Sequence, residues 1–193
     1  MVKLIGQNKL KTAVFISGTG SNLKNLIKFS LLRKSPIKIK FVISSKKKIK
    51  GLDISKRYKI PSKIYDYKNK EKAEKKILKD LKNKGIDLIC LAGFMKILSN
   101  NFIKKFSGKI LNIHPSLLPK YKGLNTHERA IKNNEKYSGC TVHFVSSKLD
   151  SGKIIIQKKV KIRRIDTPKS LAKKVLIQEH KLYPRAILKI FNP

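Results

Sequence analysis

The sequence has 193 residues, of which 40% are hydrophobic and 30% charged, a balance that excludes a wholly disordered chain and predicts a single domain over 1–193. Lys and Arg total 47 against 11 Asp and Glu, and the resulting net charge of +36 attracts anionic ligands. No apolar run approaches the roughly 20 residues that span a bilayer. Residues 1–12 lack the apolar stretch of a secretory signal, so we expect a cytoplasmic protein without a membrane partner.

The positive charge is carried mostly by lysine. Only six of the basic residues are arginine, and no aromatic residues are interleaved with them in a way that suggests stacking on bases. A lysine-rich surface set by compositional bias is therefore favoured over a nucleic-acid interface, and no nucleic-acid partner is expected. Cys90 and Cys140 stand in apolar contexts and form no CxxC pair, so no metal site is predicted.

Short apolar strands alternate with lysine-rich helices through the first half of the chain. The pattern predicts strands over 12–17, 37–44, 63–65 and 87–91. It predicts helices after residue 22, within 46–57 and over 69–84. The apolar face of the first helix is predicted to consist of Leu23, Leu26, Ile27 and Leu31.

The second half continues the alternation and ends in a long helix. Helices are predicted over 99–106 and 126–133, and strands over 109–113, 141–146 and 153–160. The final helix begins at Thr167 and Pro168, and Pro184 is expected to kink or break it. We therefore predict a doubly wound α/β fold with a mostly parallel sheet and an antiparallel C-terminal hairpin, which binds ligands at the carboxyl ends of its strands.

A glycine-rich segment, SGTGSN at 17–22, follows the first strand and opens a helix. Its glycines allow tight turns, and the free N–H groups at a helix start attract an anion such as a phosphate. The segment fits neither GxGxxG nor the Walker motif, so neither a dinucleotide nor a nucleoside triphosphate is favoured. A strand–helix turn without a ligand is an equally open interpretation.

Asn112 and His114 lie two residues apart at the end of a predicted strand, so their side chains project on the same side. The amide can donate to a developing oxyanion, and the imidazole can donate or shuttle a proton. Asp150 lies in a predicted turn between two strands. It is interpreted either as a turn residue alone or as a carboxylate that orients His114. A structural histidine at a strand end is the alternative interpretation of His114.

A second loop, residues 93–98, follows the apolar strand over 87–91 and contains exposed apolar residues. It either clamps a flat aromatic ligand or packs on the core. His143 alternates with apolar residues and is interpreted as structural. Glu179 is one of few acids in a basic helix.

Five stretches resemble the glycinamide ribonucleotide formyltransferases, folate-dependent enzymes of purine synthesis. They cover most of the chain in family order, and the fourth contains Asp150: SGTGSNL (17–23), LAGFMKILS (91–99), LNIHPSLLPKYKGLNTH (111–127), VHFVSSKLDSG (142–152) and QEHKLYP (178–184). The resemblance implies a Rossmann-like formyltransferase fold, with a phosphate-binding half at about 1–100 and a catalytic and folate half at about 101–193.

The same resemblance implies a reaction and roles for residues. The amine of glycinamide ribonucleotide would attack the formyl carbon of 10-formyltetrahydrofolate, the co-substrate. Asn112 and His114 would stabilise the oxyanion, and Asp150 would hold His114 and assist proton transfer. The ribose phosphate would be bound by Gly20, Ser21 and Asn22.

The remaining implied contacts concern the folate and the glycinamide group. The folate would be bound by Lys70, Met95, Lys96, Ile97, Leu98 and Asn112. Glu179 would lie near the glycinamide end. Lys96 stands where the family often has Arg, and a lysine does not make the bidentate contact that an arginine makes. The alternatives are a formyltetrahydrofolate deformylase, another folate formyltransferase, or a non-catalytic RNA-binding protein; the oligomeric state is expected to be monomer or homodimer.

Overall fold

A computed structural model describes residues 9–191 as a seven-stranded sheet flanked by helices. The strands are β1 (Leu10–Ile16), β2 (Ile37–Ser44), β3 (Ser62–Ile64), β4 (Leu88–Leu91), β5 (Lys109–His114), β6 (Tyr137–Phe144) and β7 (Ile154–Lys161). The helices are α1 (Ser21–Ser30), α2 (Lys50–Arg57), α3 (Lys70–Asn83), α4 (Asn100–Lys105), α5 (Thr126–Lys132) and α6 (Pro168–Phe191). Within this range, no helix is both long enough and apolar enough to cross a membrane.

The strand order is β3-β2-β1-β4-β5-β6-β7, with β1 to β5 parallel and both β6 and β7 paired antiparallel to their neighbours. This confirms the predicted doubly wound fold and its antiparallel C-terminal hairpin. The chain moves outward from β1 to β3 and returns to the other side of β1 with β4. The loops after β1 and β4 therefore meet at the carboxyl edge, where such sheets bind ligands.

Two apolar clusters cover the two faces of the sheet. Alternate residues of β1 enter different clusters: Val14 and Ile16 pack with α1 and α6, whereas Ala13 and Phe15 pack with α3 and α4. Because both faces of β1 are covered, this strand is a continuous apolar run rather than an alternating one. The buried strands form a rigid support for the loops at their carboxyl ends.

The first helix is shorter than predicted, and its last apolar residue lies outside the core. α1 ends at Ser30, whose hydroxyl donates to the Ile27 carbonyl. Leu31 is the C-cap residue and is 72% exposed, so its predicted place on the buried face is wrong. Leu23, Leu26 and Ile27 are buried as predicted.

The last helix continues through its proline. α6 extends from Pro168 to Phe191 with Pro184 inside it, so of the predicted kink or break, a break does not occur. A proline has no N–H and leaves the carbonyl four residues earlier without its helical donor. That carbonyl belongs to His180, and it accepts a hydrogen bond of 2.6 Å from Asn25 Nδ2 of α1. A side chain of another helix therefore replaces the missing donor.

Candidate active site

The loop after β1 presents backbone N–H groups at the carboxyl edge. Gly20 is the N-cap of α1 with φ +74°, and neither a capping side chain nor an acidic first-turn residue engages this helix start. A Cβ on Gly20 would lie 2.6 Å from Gly51 Cα of α2, so only glycine permits this packing. The first-turn N–H groups, which follow Gly20 at Ser21 and Asn22, form a geometry suited to an anion.

A serine joins this loop to the one after β4. The Met95 N–H donates to Ser17 Oγ over 2.8 Å, and Ser17 Oγ also shares a 2.7 Å hydrogen bond with Ser45 Oγ. Met95 and Ile97 are each 59% exposed, and Lys96 is also exposed. The side chain of Leu98 is buried in the core. Of the residues predicted to bind folate, Leu98 can therefore contact it only through its backbone.

The start of α3 lies beside the 93–98 loop. Tyr67 packs edge-on against Phe94 with ring centroids 5.7 Å apart, and Lys96 Nζ lies 6.0 Å from the Tyr67 ring. Glu74, which is buried, accepts hydrogen bonds from the N–H and the hydroxyl of Ser99. Lys70, the predicted basic folate contact, is the exposed first residue of this helix.

The three predicted catalytic side chains meet at the carboxyl end of β5. His114 Nδ1 lies 3.4 Å from Asp150 Oδ2, and Asn112 Nδ2 lies 3.4 Å from Asp150 Oδ1. The side chains of His114 and Asp150 are 7% and 8% exposed. His114 Nε2 faces the Tyr121 carbonyl at 2.8 Å, and because a carbonyl only accepts, this nitrogen carries a hydrogen. The carboxylate thus contacts both Asn112 and His114.

His143 belongs to this cluster, although sequence reasoning interpreted it as structural only. It pairs with Asn112 across the β5–β6 ladder. His143 Nδ1 donates to the Phe144 carbonyl over 2.8 Å, which leaves Nε2 to accept from Asn112 Nδ2 over 3.2 Å. Burial lowers the pKa of His143, which favours the neutral ring that this acceptor role needs. His143 therefore fixes the orientation of the Asn112 amide.

Asp150 is held in place by a neighbouring loop. Its φ is +45°, and the Gly123 N–H donates to Asp150 Oδ2 over 2.9 Å. Next to it, Lys122 Nζ donates to Ser151 Oγ over 2.6 Å. The loops around 121–125 and 146–152 thus close on each other beside the cluster.

Glu179 lies next to the glycine-rich loop. Asn22 Nδ2 donates to Glu179 Oε2 over 2.7 Å, and both residues are buried. Burial raises the pKa of Glu179 above its ordinary value, opposed by the hydrogen bond from Asn22. Asn22 Oδ1 is a buried acceptor with no hydrogen-bond partner among residues 9–191. The contact joins α6 to the start of α1.

No group of three or more His, Cys, Asp or Glu side chains suited to a metal ion occurs in the described part of the chain. The fold and the site define an α/β protein with an uncapped helix start and an Asn–His–Asp cluster at one sheet edge. The family model described as Formyl transferase matches residues 10–187, and the chain belongs to this family.

Individual members of the family can be compared with this chain by sequence identity. The chain is 43% identical to phosphoribosylglycinamide formyltransferase of Haemophilus influenzae, over 92% of this chain and 85% of that protein. It is 45% identical to the human trifunctional purine biosynthetic protein adenosine-3, over 94% of this chain but 18% of that protein. The chain thus corresponds to under a fifth of the trifunctional relative.

Solved structures agree with the sequence comparison. The crystal structure of phosphoribosylglycinamide formyltransferase from Brucella melitensis superposes with a TM-score of 0.89 at 41% identity, over 95% of this chain and 96% of that one. Glycinamide ribonucleotide transformylase 1 from Symbiobacterium toebii gives a TM-score of 0.90 at 34% identity, over 97% and 89%. The resemblance noted in the sequence is therefore confirmed.

Proposed function

We propose that this protein transfers the formyl group of 10-formyltetrahydrofolate to the amine of glycinamide ribonucleotide, in purine biosynthesis. The observation that carries the proposal is the Asn112–His114–Asp150 cluster, at the same sheet edge as the anion-binding start of α1, in a chain of the formyl transferase family. The names of its relatives support this substrate. A cytoplasmic location and a monomeric or homodimeric state remain predictions.

The first step places charge on the formyl oxygen. The substrate amine attacks the formyl carbon, a C–N bond forms, and the carbonyl π electrons move to oxygen. One hydrogen of the Asn112 amide is donated to His143 Nε2, and the second faces Asp150 over a long 3.4 Å contact. That second hydrogen can turn to the oxyanion, a type of contact worth about 10²–10³ in rate.

His114 and Asp150 complete the reaction. The ring of His114 lies between Asp150 Oδ2 and the Tyr121 carbonyl. Its Nδ1 makes only a long 3.4 Å contact with Asp150, so this nitrogen, when it carries a hydrogen, would donate to the oxyanion. The intermediate collapses as the bond from carbon to the folate nitrogen breaks. The attacking amine loses a proton and the folate nitrogen gains one, and Asp150 with water assists this transfer.

The substrates would lie on either side of this cluster. The first-turn N–H groups after Gly20 would hold the ribose phosphate, and Glu179 would contact the glycinamide part of the same substrate. The exposed segment Met95 to Ile97 and Lys70 would contact the folate. The hydrogen bond between Met95 and Ser17 supports this arrangement because it joins the two loops.

Replacement of His114 tests the mechanism. We expect His114→Ala to lower kcat by at least about 10²-fold, because it removes a group that stabilises the oxyanion and the partner of Asp150. Turnover is followed by the spectral change of the folate product, and circular dichroism checks that the variant is folded. A folded variant with a near-normal rate would contradict the mechanism.

The same assay separates transfer from hydrolysis. Formate release is measured from formyltetrahydrofolate with and without glycinamide ribonucleotide. Transfer predicts formylated product that depends on the ribonucleotide and little free formate. Formate release that is independent of the ribonucleotide would instead identify a deformylase.

A further inference from the structure

A short loop segment contacts two of the three catalytic side chains, His114 and Asp150, through its backbone. The Tyr121 carbonyl accepts from His114 Nε2 over 2.8 Å, and the Gly123 N–H donates to Asp150 Oδ2 over 2.9 Å. The positions of His114 and Asp150 therefore depend on the conformation of residues 121–123.

This segment has an unusual backbone. Tyr121, Gly123 and Asn125 have φ values of +55°, +77° and +56°, so every second residue is in the left-handed region. Residues other than glycine disfavour this region, and such a backbone conformation persists in a loop only where surrounding contacts hold it. The loop thus needs support from outside its own backbone.

Arg129 of α5 supplies that support. Its guanidinium lies over the Tyr121 ring, with 5.2 Å between Cζ and the ring centroid. Its Nη1 donates to the Lys122 carbonyl over 2.7 Å and to the Leu124 carbonyl over 3.4 Å. One side chain therefore contacts three residues of the strained loop.

The Tyr121 side chain is also held at its far end. Its hydroxyl donates to Glu135 Oε1 over 2.9 Å and accepts from Asn133 Nδ2 over 3.0 Å. Lys120 Nζ donates to the same carboxylate oxygen over 2.7 Å. The Tyr121 phenol is held at its hydroxyl by Glu135 and Asn133, and its ring lies against the Arg129 guanidinium, so the Tyr121 backbone has little freedom to move.

We propose that Arg129 is a positioning residue for formyl transfer: it holds the 121–125 loop so that the Tyr121 carbonyl and the Gly123 N–H set the orientations of His114 and Asp150. The proposal rests on the proposed function. A planar guanidinium can lie over a ring while it donates to two carbonyls, and the ammonium group of lysine cannot reproduce this arrangement. The proposed role therefore requires arginine at position 129, in a chain whose basic residues are mostly lysine.

The test replaces Arg129 by Lys and keeps the charge. We expect kcat for formyl transfer to fall about 10- to 100-fold because small displacements of catalytic groups have effects of this size. The KM for glycinamide ribonucleotide is expected to stay within about twofold, since Arg129 contacts neither the α1 start nor Glu179. Arg33→Lys, an exposed arginine beyond the far end of α1, is the matched control and should behave as wild type.

A second readout is independent of catalysis. The ¹⁵N–¹H signal of His114 Nε2 reports its hydrogen bond to the Tyr121 carbonyl. We expect this signal to be the same in wild type and in Arg33→Lys, and to be displaced in Arg129→Lys. Unchanged shifts or an unchanged kcat in Arg129→Lys would overturn the positioning role, including where only the melting temperature falls. An inactive wild-type enzyme with Arg129-dependent shifts would reject the proposed function and leave the loop role standing.

Discussion

The carboxylate of Glu179 illustrates a single residue whose burial opposes stability. It lies inside the protein against Asn22, and burial raises its pKa. Because its pKa is raised in the folded state, Glu179 binds a proton more tightly in the folded protein than in the unfolded chain. The stability gained from this proton is fully present below the unfolded pKa of 4.5 and is lost as pH rises through the folded pKa. At neutral pH the ionised group therefore lowers the free energy of unfolding.

We expect Glu179→Gln to be more stable than wild type at pH 8, because the neutral amide needs less solvation and its oxygen can still accept from Asn22. A gain of about 1 kcal/mol would raise the melting temperature by about 2–4 °C in a chain of this length. The difference should shrink as pH falls towards 4.5.

Thermal melts of both proteins across this pH range measure the effect. Glu128→Gln is the control, because Glu128 is exposed in the first turn of α5 and its replacement should have little effect at any pH. A stability gain at Glu179 that is constant with pH would contradict the assignment to burial of the charge. If Glu179 contacts the substrate, the same variant should bind glycinamide ribonucleotide more weakly.

At the scale of single residues, the sequence was sufficient to predict those functional residues that lie close together along the chain. Asn112 and His114 are two residues apart in one strand, and this spacing alone places them together. The contact of His143 with Asn112 was not predicted, because it depends on the β5–β6 register, which no short motif encodes. The burial of the Leu98 side chain was also not predictable, because it depends on which side of the 93–98 loop faces α4.

At the scale of elements, α6 shows how tertiary contacts override a local rule. Pro184 predicts a break, yet the helix continues because Asn25 Nδ2 donates to the otherwise unpaired His180 carbonyl. The rule about proline is correct for an isolated helix. The continuous helix could not be predicted, because sequence periodicity does not show which side chain of α1 packs against α6.

This compensation can be measured with a double-mutant cycle. Asn25→Ala should lower the free energy of unfolding by about 1–3 kcal/mol, because it leaves a helix carbonyl without a donor. Pro184→Ala restores the N–H that reaches His180, so Asn25→Ala should cost less in that background. The difference between the two costs, about 0.5–3 kcal/mol, is the coupling energy obtained from urea unfolding. Equal costs in both backgrounds would show that Asn25 does not replace the missing donor.

At the scale of the whole molecule, the fold class was predictable from the sequence, whereas the site was predictable only in part. Alternating strands and helices of this length have few arrangements other than a doubly wound sheet, and the antiparallel hairpin followed from two strands joined by a short turn. The meeting of Asp150 with His114 required two separate loops to close on each other. Such loop conformations depend on long-range contacts such as those of Arg129.

The net charge of +36 is also a property of the whole molecule. Both proposed substrates are anions, so a positive field should raise the rate of their encounter without changing the chemical step. Salt screens that field, with a Debye length of about 30 Å at 0.01 M and about 10 Å at 0.1 M. We therefore expect kcat/KM for glycinamide ribonucleotide to fall by about tenfold between these two ionic strengths, while kcat stays within about twofold.

Steady-state kinetics in potassium chloride measure this dependence. A variant with Lys38, Lys40 and Lys59 changed to Gln lowers the total charge at the far end of the sheet, away from the carboxyl edge, and serves as the comparison. If the field of the whole molecule acts, this variant shows a slightly smaller salt dependence. If local charges at the α1 start act alone, it matches wild type. A kcat/KM that does not change with salt in either protein would leave the charge without a role in substrate encounter.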